Sequence, residues 1–385
     1  MVKRNFERQD NPMKSFIKTT LLLFIVAAWV GCSGDYRQQA SGAIDHVVVV
    51  MDSTQFHSQT ADAIRGTFGR WIQTLPNPEP LFDLSFRDFD NNAQLNQLKK
   101  FKNIIVAAPI DDSTNTARFI RALLSDKVEQ QVRDGKVFAF PLQNKWYKNQ
   151  WSLLLTAPSD SALAKQINNS EETLTDNLME KTFVRWRGQV YDRGEKTQLE
   201  DSLWNEHGWK IRVQHDWYKN VDTMYTHNGE TAHFLTMDRQ LPSNDRWFWI
   251  WWKKTDDISY LSNDWINAKR DSLMEKWVRG TRDSSYVTTD YKHYPVNTTS
   301  FKLNGNLTYE TLGVWHMTHD AMAGPFVNLA VYDEDTHRLF LLEFDQFAPK
   351  YKKRRFVRQF RAMIRTFQSD STWTGNNNNK PMAKE

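Results

Sequence analysis

The sequence predicts an α+β fold made of two α/β sandwich-like domains whose sheets are mainly antiparallel. Strand-like runs alternate with helical stripes in the first half of the chain, whereas several strand-like runs follow one another in the second half. We place the two domains at residues 44–206 and 207–368, because the helical pattern ends near residue 206 and strands resume there. A chain of 385 residues, 40% of them hydrophobic, is long enough for two ordinary cores.

An apolar stretch near the N-terminus predicts the cellular location of the protein. Leu21–Gly31 spans eleven residues, whereas a membrane-spanning helix needs about 20. Basic residues precede it and small residues flank Cys32, the only cysteine, in the layout of a secretory signal with a processing site. This ending resembles the lipobox of bacterial lipoproteins, in which the cysteine is acylated on sulfur and becomes the new N-terminus. We therefore expect a signal peptide at 1–31, a palmitate-type lipid on Cys32 and a tether at 32–43. A buried cysteine in an uncleaved helix is the alternative.

Removal of the predicted signal peptide lowers the net positive charge of the chain. The chain holds 50 Lys/Arg and 46 Asp/Glu, of which residues 1–31 contain five and two, so 45 and 44 remain and the mature net charge is +1. So small an excess gives no argument for a nucleic-acid partner. No cysteine besides Cys32 is available for a disulfide. Met13 starts a more compact signal than Met1 and is an alternative initiator.

The first domain begins with a strand at Asp45–Asp52, which is apolar on both faces and therefore expected at the centre of a covered sheet. A helix is predicted over 59–75, where apolar residues form one stripe. Asp111, Asp112 and Ser113 follow a strand and precede a helical run, so we interpret them as helix caps rather than a metal or acid–base site. The remaining predicted elements are strands at 81–89, 103–108, 136–140 and 151–158, and a helical tract from 159 to 204 that Gly188 and Gly194 interrupt.

The second domain starts with three strand-like runs, at 209–219, 233–239 and 245–254, which predict an antiparallel meander. The closing helix has an apolar stripe that includes Phe356 and Phe360, so we expect it to pack on the sheet. Residues 369–385 contain too few apolar side chains to fold and are predicted to be disordered. The other predicted elements are a helix over 264–278, strands at 311–320, 325–335 and 337–347, a hairpin at 333–336 and the closing helix itself over 352–367.

Seven stretches share their order and spacing with one known family. They are VVVVMD at 47–52, LPNPEPLFDL at 75–84, NIIVAAP at 103–109, LLTAPS at 154–159, AKRDSLMEKWVRG at 268–280, GPFVNLAVYD at 324–333 and FAPKYKKRRFVRQF at 347–360. Together they resemble a family of uncharacterised Bacteroidota lipoproteins (domain of unknown function 4837), over nearly the whole mature chain. The resemblance implies an envelope lipoprotein without an assigned activity. The element order of residues 209–368 also resembles the PsbP-like/Mog1-like sandwich, a module that generally binds proteins.

The sequence contains no Gly-x-Ser-x-Gly elbow, no His-Glu-x-x-His pair and no phosphate-binding glycine loop. His316, His319 and Asp320 could bind a metal, but residues three apart on a strand point to opposite faces, so we interpret them as a polar strand face. The acidic run at 332–337 is interpreted as a hairpin turn rather than a calcium loop. We therefore predict no catalytic residue, no metal and no cofactor, and favour a protein that is not an enzyme.

A basic run at 350–355, continued by Arg358, Arg361 and Arg365, is the strongest charge feature of the chain. We interpret it as a solvated helix face. Anionic lipid headgroups near the anchor, or an acidic partner, are the alternative.

A row of tryptophans, Trp247, Trp249 and Trp251, alternates with other large apolar residues along one strand. If one face of this strand were open, the row would suit stacking on sugars, which makes it the candidate ligand face. Burial on both faces is the interpretation that we favour, because so much exposed aromatic surface promotes aggregation.

These observations predict a lipid-anchored cell-envelope protein on the periplasmic face of the outer membrane. We expect a non-catalytic binding or assembly factor for a protein partner, with no nucleic-acid partner. A glycan-binding or glycan-processing lipoprotein is the alternative.

Overall fold

The computed structural model describes residues 36–227, 229–282 and 284–373. The predicted signal peptide, the lipid site Cys32 and residues 374–385 lie outside this range. Among the described residues, no helix combines the length and the apolar character that crossing a bilayer requires. The α+β class is confirmed, since two separate sheets carry helices on their faces.

The first sheet has five strands in the order β4-β1-β5-β7-β6. Strands β4, β1, β5 and β7 run parallel and β6 is antiparallel, so this sheet is the exception to the antiparallel pairing that dominates the chain. Val47 and Val49 face one core and Val48 and Val50 the other, which confirms β1 as a central strand covered on both sides. The strands are β1 (His46–Val50), β4 (Asp83–Arg87), β5 (Asn103–Ala107), β6 (Ala139–Gln143) and β7 (Trp151–Leu155).

Helices cover both faces of the first sheet. One face packs against α1 (Gln59–Phe68), α5 (Asp160–Asn169) and α6 (Glu171–Val190), and the other against α2 (Asn92–Leu98), α3 (Asn115–Arg121) and α4 (Asp126–Arg133). Side-chain caps position several of these helices, as in α1 and α5, where serine oxygens accept hydrogen bonds from backbone N–H groups of the first turn. The N-termini of these helices can therefore be predicted from the sequence.

Three local predictions differ from the structure. Helix α1 ends at Phe68 rather than residue 75, because residues 71–72 (β2) pair instead with residues 79–80 (β3). Helix α3 is capped by Thr114, whereas Asp111 contacts Arg133 and Asp112 accepts a hydrogen bond from Gln55. Gly188 lies inside α6 and does not interrupt it. In the first case backbone pairing replaces the helical periodicity, and in the second the residue directly before α3 provides the cap.

The second sheet has eight strands and is antiparallel throughout, with the order β12-β14-β15-β16-β11-β10-β9 and β13 paired to β14. The hairpin at 333–336 (β15 to β16) is present, as predicted. An antiparallel meander (β9 to β11) is also present, but its first strand begins at Tyr218 rather than at residue 209, and β12 and β13 were not predicted. The strands are β9 (Tyr218–His227), β10 (Glu230–Arg239), β11 (Asp245–Lys254), β12 (Val287–Thr289), β13 (Asn297–Leu303), β14 (Asn306–Met317), β15 (Ala323–Asp333) and β16 (Arg338–Phe347).

Two helices cover the second sheet, α8 (Asn263–Trp277) on one face and α9 (Arg354–Ile364) on the other. Phe356 and Phe360 of α9 belong to the core beneath the second sheet, whereas Ala362 belongs to a core of the first. The closing helix therefore packs on its sheet, as predicted, and also joins the two domains.

The chain returns to the second domain after α9. Residues 368–369 (β17) pair with residues 209–210 (β8), just after α7 (Thr197–His207). The ring of Trp373 packs against Gly208, where an added Cβ would lie 2.3 Å from the indole. Residues 369–373 therefore contact the folded part of the chain, although sequence analysis assigned them to the unstructured tail.

Candidate functional site

The candidate site is a cleft of about 620 Å³ between the two domains. It lies where the N-terminal end of α9 meets the edge of the first sheet at which its parallel strands begin. The first domain contributes the segment 42–45, Asp83, Lys102 and Arg185, and the second contributes Lys352, Arg354 and Arg355. The cleft is therefore lined by charged side chains from both domains.

Glu79 fixes the start of α9 in this cleft. Its carboxylate accepts hydrogen bonds from the backbone N–H groups of Lys353 (2.5 Å) and Arg354 (3.2 Å). A carboxylate at this position satisfies two free N–H groups and interacts favourably with the positive end of the helix dipole. The cap comes from a residue 274 positions earlier in the chain, so a local sequence pattern could not have shown it.

Much of the basic run is used to join the domains. Arg354 makes hydrogen bonds to Asp83 (2.5 Å and 3.2 Å), and Arg358 forms a buried ion pair with Asp45. Burial opposes ionisation of Asp83, but the hydrogen bonds and charge of Arg354 outweigh it and lower the pKa of Asp83. The prediction of a solvated face is therefore wrong for these arginines, because acidic partners from the first domain desolvate them.

Arg185 lies in the wall of the cleft and is only 6% exposed. Its guanidinium donates to the side-chain oxygens of Asn103 (2.5 Å) and Asn149 (3.2 Å), and to the carbonyl oxygens of Lys102 (3.1 Å) and Asn149 (2.7 Å). All of these acceptors are neutral. In the described part of the chain no carboxylate forms a salt bridge with Arg185, and burial lowers its pKa to about 10.

Two neighbouring lysines increase the positive charge around Arg185. Burial lowers the pKa of Lys102 and of Lys181, and the charge of Arg185 lowers both further. At the rim, Lys352 and Arg355 are exposed, and neither forms a salt bridge within the described chain. The wall and rim of the cleft therefore offer charge-assisted contacts to an anionic group.

The carboxylates that line the cleft already pair with arginines or accept hydrogen bonds from backbone N–H groups. Asp45 contacts Arg358, Asp83 contacts Arg354, and Glu79 caps α9. Among the described lining residues, no carboxylate is therefore available as a general base, whereas the cations can still bind a ligand. The arrangement suits binding of an anionic group better than acid–base chemistry.

The tryptophan row lies elsewhere, on the face of β11 beneath α8. Trp249 and Trp251 are at most 1% exposed, and Trp247 is partly buried against Trp315. The opposite face of the same strand, with Phe248 and Ile250, is buried in the other core. The candidate ligand face is therefore closed at Trp249 and Trp251, as the burial interpretation expects, and partly buried at Trp247.

Beside the tryptophans lies a buried ionic cluster that the sequence analysis missed. Arg270 of α8 binds Glu343 of β16 (2.8 to 3.0 Å) and approaches Asp345 at 3.4 Å. Burial and the charge of Glu343 raise the pKa of Asp345 well above its usual range. Two acidic residues two positions apart, in a strand that is otherwise largely apolar, were the available signal. The three side chains are at most 1% exposed and are paired with one another, so we interpret the cluster as structural.

Two of the other metal-capable residues named from the sequence, His316 and Asp320, have separate partners. The Nδ1 atom of His316 lies 3.0 Å from the carbonyl of Met317, and Asp320 accepts a hydrogen bond from Thr281 (3.0 Å). Asp333 accepts from the backbone N–H groups of Asp335 and Thr336 within the hairpin. The acidic run therefore stabilises a turn, as predicted.

Comparison with protein families divides the chain as the two sheets do. Residues 40–191, which include the first sheet, match a family described as Domain of unknown function (DUF8532). Residues 196–366, which include the second sheet and α9, match a second family. A comparison with curated proteins finds no match. The candidate cleft therefore lies between the segments that the two families cover. The resemblance was expected over nearly the whole mature chain, but the four stretches quoted from residues 47–159 lie in the segment that matches the other family. The resemblance is confirmed for the second half of the chain, because residues 196–366 match the family described as Domain of unknown function (DUF4837).

Proposed function

We propose that this protein is a non-catalytic binding factor of the cell envelope, whose interdomain cleft takes an acidic segment of a protein partner. Arg185 carries the proposal, because its buried guanidinium donates to neutral oxygens, forms no salt bridge with the residues that the structure describes, and faces a cleft of about 620 Å³. A buried cation without a counter-ion is costly, and a carboxylate of the partner would supply the missing opposite charge.

The position of the cleft supports a partner close to a membrane. Residues 42–44 line the cleft, and residues 42 and 43 are the last two of the tether that we expect after Cys32. If Cys32 carries the lipid, the ten residues up to Gly42 reach at most about 35 Å when fully extended. We propose that the anchor lies in the outer membrane and that the cleft faces the periplasm.

The tryptophan row does not support the alternative of a glycan-binding protein. That alternative requires an open aromatic face, and Trp249 and Trp251 are buried under α8. The proposal therefore names a protein partner, whose acidic side chains match the cations of the cleft.

A binding assay with charge-matched variants tests the proposal. We would measure binding of a fluorescein-labelled deca-glutamate peptide to the full chain in detergent. The rim variant Lys352→Glu/Arg355→Glu should weaken binding by about tenfold or more, because it replaces two attractive contacts with two repulsive ones. The control variant Lys127→Glu/Lys350→Glu changes the net charge equally at exposed positions outside the cleft, and it should bind like the wild type.

The same variants can be compared in the native envelope after crosslinking. We expect a crosslinked protein partner in the wild type and in the control, and its loss in the rim variant. Equal peptide affinities for the rim and control variants would contradict the proposal, because net charge and not the cleft would then determine binding. The proposal would also be contradicted if the rim variant lost binding to anionic lipid vesicles but still crosslinked to the protein partner.

A further inference from the structure

Three segments that precede parallel strands of the first sheet meet at one edge of that sheet. The strands β1, β5 and β7 run parallel, so the residues just before each of them lie at the same edge. One of these segments is the end of the predicted tether. The other two, KKFK at 99–102 and KWYK at 145–148, contain five lysines. The fold therefore brings the expected lipid anchor and a group of lysines to one edge.

The last part of the predicted tether is held on this edge by backbone hydrogen bonds. The segment 38–41 exchanges two of them with Lys148, both at 2.9 Å. It makes two more with the loop before β5, through the carbonyl oxygen of Lys100 (2.7 Å) and the N–H group of Lys102 (2.8 Å). Bridges of parallel type connect it to both loops. The chain that leads to Cys32 therefore leaves the domain between the two lysine-rich loops.

A buried glutamine joins these two loops. The side chain of Gln150 is fully buried, and its Nε2 atom donates to the carbonyl oxygens of Lys99 (2.6 Å) and Phe101 (2.9 Å). Its Oε1 atom accepts from the backbone N–H groups of Trp146 (3.2 Å) and Tyr147 (3.4 Å). Both loops are therefore fixed relative to each other and to the tether.

The five lysines are not neutralised by the part of the chain that the structure describes, in which none of them forms a salt bridge. The partners that it gives them are uncharged: an amide oxygen for Lys100 (2.8 Å), a carbonyl oxygen for Lys102 (2.6 Å) and two aromatic rings for Lys99 (centroids at 4.9 Å and 5.7 Å). Lys145 is exposed and Lys148 partly exposed. This edge therefore presents positive charge to whatever lies beside it.

Aromatic side chains accompany the lysines. Trp146 and Tyr147 are partly buried in the second loop, and Tyr36, just before the docked segment, is 90% exposed. Tryptophan and tyrosine favour the headgroup level of a membrane, because each combines an apolar ring with a polar group. The edge therefore combines the two kinds of side chain that are typical of a membrane-contacting surface.

The length of the linker brings this edge close to the membrane. If Cys32 carries the lipid, as the proposed function assumes, six residues connect it to Gln38, and six fully extended residues span about 20 Å. We propose that the lysine edge, formed by residues 36–41, 99–102 and 145–148, rests on an anionic phospholipid surface. Each lysine near such a surface strengthens the contact by about fivefold. The cleft opens beside this edge, since Gly42 and Lys102 line it, so its ligand is bound close to the bilayer.

Quenching of a single fluorophore by lipid headgroups tests this inference. The lipidated full chain would carry a nitrobenzoxadiazole dye at Gln143→Cys, an exposed position opposite Trp151 at the start of β7. Ser113→Cys is the matched position, because it is exposed and follows the opposite end of β5. The vesicles contain phosphatidylcholine and phosphatidylglycerol in equal parts, with a nitroxide on some headgroups. We expect quenching at position 143 and none at position 113.

Charge variants show whether the lysines hold this orientation. Lys145→Glu/Lys148→Glu should reduce the quenching at position 143 several-fold, and so should added salt or omission of phosphatidylglycerol. The control Lys127→Glu/Lys165→Glu changes the net charge equally at exposed positions and should be quenched like the wild type. Tryptophan fluorescence would show that each variant is folded.

The inference is overturned if positions 113 and 143 are quenched equally, or if the lysine variant is quenched like its control. It is also overturned if the lysine variant keeps its quenching but loses a crosslinked protein, because the lysines would then contact an acidic protein. Mass spectrometry separates these results from the proposed function. An unquenched dye at position 143 on a chain with lipidated Cys32 overturns the inference alone, whereas dye on Cys32 itself shows that the anchor is missing and overturns both.

Discussion

Replacing Glu310 by glutamine tests whether α9 is held by buried charge. Glu310 lies on β14, is 1% exposed, and accepts hydrogen bonds from Arg361 (2.6 Å and 3.0 Å) and Arg365 of the helix region. Both arginines also lie over the ring of Phe183 in α6, at 5.0 Å and 4.5 Å. Glu310→Gln keeps the shape of the side chain but leaves two partly buried guanidinium groups without their counter-ion.

The expected loss can be estimated from the pKa of Glu310. Burial raises this pKa, but the charges of Arg361 and Arg365 outweigh burial and lower it from 4.5 to about 2. At about 1.4 kcal/mol per pKa unit the difference amounts to ~3 kcal/mol, close to the ~3 to 5 kcal/mol lost when one partner of a buried ion pair is removed. We therefore expect Glu310→Gln to reduce the free energy of unfolding by ~3 kcal/mol at pH 7.

The pH dependence provides an independent check. Because the folded-state pKa of Glu310 is lowered, its contribution is complete above pH 4.5 and disappears as the pH falls toward 2. Urea unfolding followed by tryptophan fluorescence at a series of pH values should show the wild-type advantage shrinking over that range. Glu275→Gln, an exposed change on α8, should stay within ~0.5 kcal/mol of the wild type. The reasoning would be refuted if Glu310→Gln lowered the free energy of unfolding by less than ~1 kcal/mol at pH 7. It would also be refuted if the difference in stability between wild type and variant did not shrink as the pH falls.

Three further predictions concern packing and anchoring. Phe360→Ala should cost ~3 kcal/mol or more in urea unfolding, because Phe360 is fully buried and stacks on Phe344; a neutral result would mean that α9 does not pack as described. Phe248→Ala and Trp249→Ala, on opposite faces of β11, should each cost ~3 to 5 kcal/mol, and a large loss at only one position would contradict burial of both faces. Cys32→Ala should leave a larger precursor and abolish acyl labelling in the native host, whereas unchanged labelling would exclude lipid attachment at this residue.

The fold was predictable where a signal is local. The strand β1 follows from a run of apolar residues, and the serines that cap α1 and α5 stand directly before each helix. The helix α1 was extended too far because Trp71 and Ile72 fit its apolar stripe. Their actual partners are at positions 79 and 80, and backbone pairing to those residues outweighed the helical periodicity.

The candidate cleft was only partly predictable. The basic run at 350–355 was recognised from the sequence, but the partners of its arginines, Asp45 and Asp83, lie more than 270 positions earlier in the chain. Arg185 had no signal at all, since one arginine on a long amphipathic helix is usually solvated. Its importance arises only from burial next to Asn103 and Asn149, which belong to other elements.

The sequence by itself determined the α+β class, most of the strands and helices, and the family of the second domain, because these depend on periodicity and spacing between residues that are close along the chain. The tertiary structure decided that the first sheet is largely parallel, that α9 joins both domains and that the tryptophan row is closed. The physical reason is that burial and charge pairing depend on which distant segments meet. An arginine remains solvated unless a carboxylate from another segment pairs with it, in which case it can be buried and join two domains. Which carboxylate pairs with it depends on the packing of the whole chain.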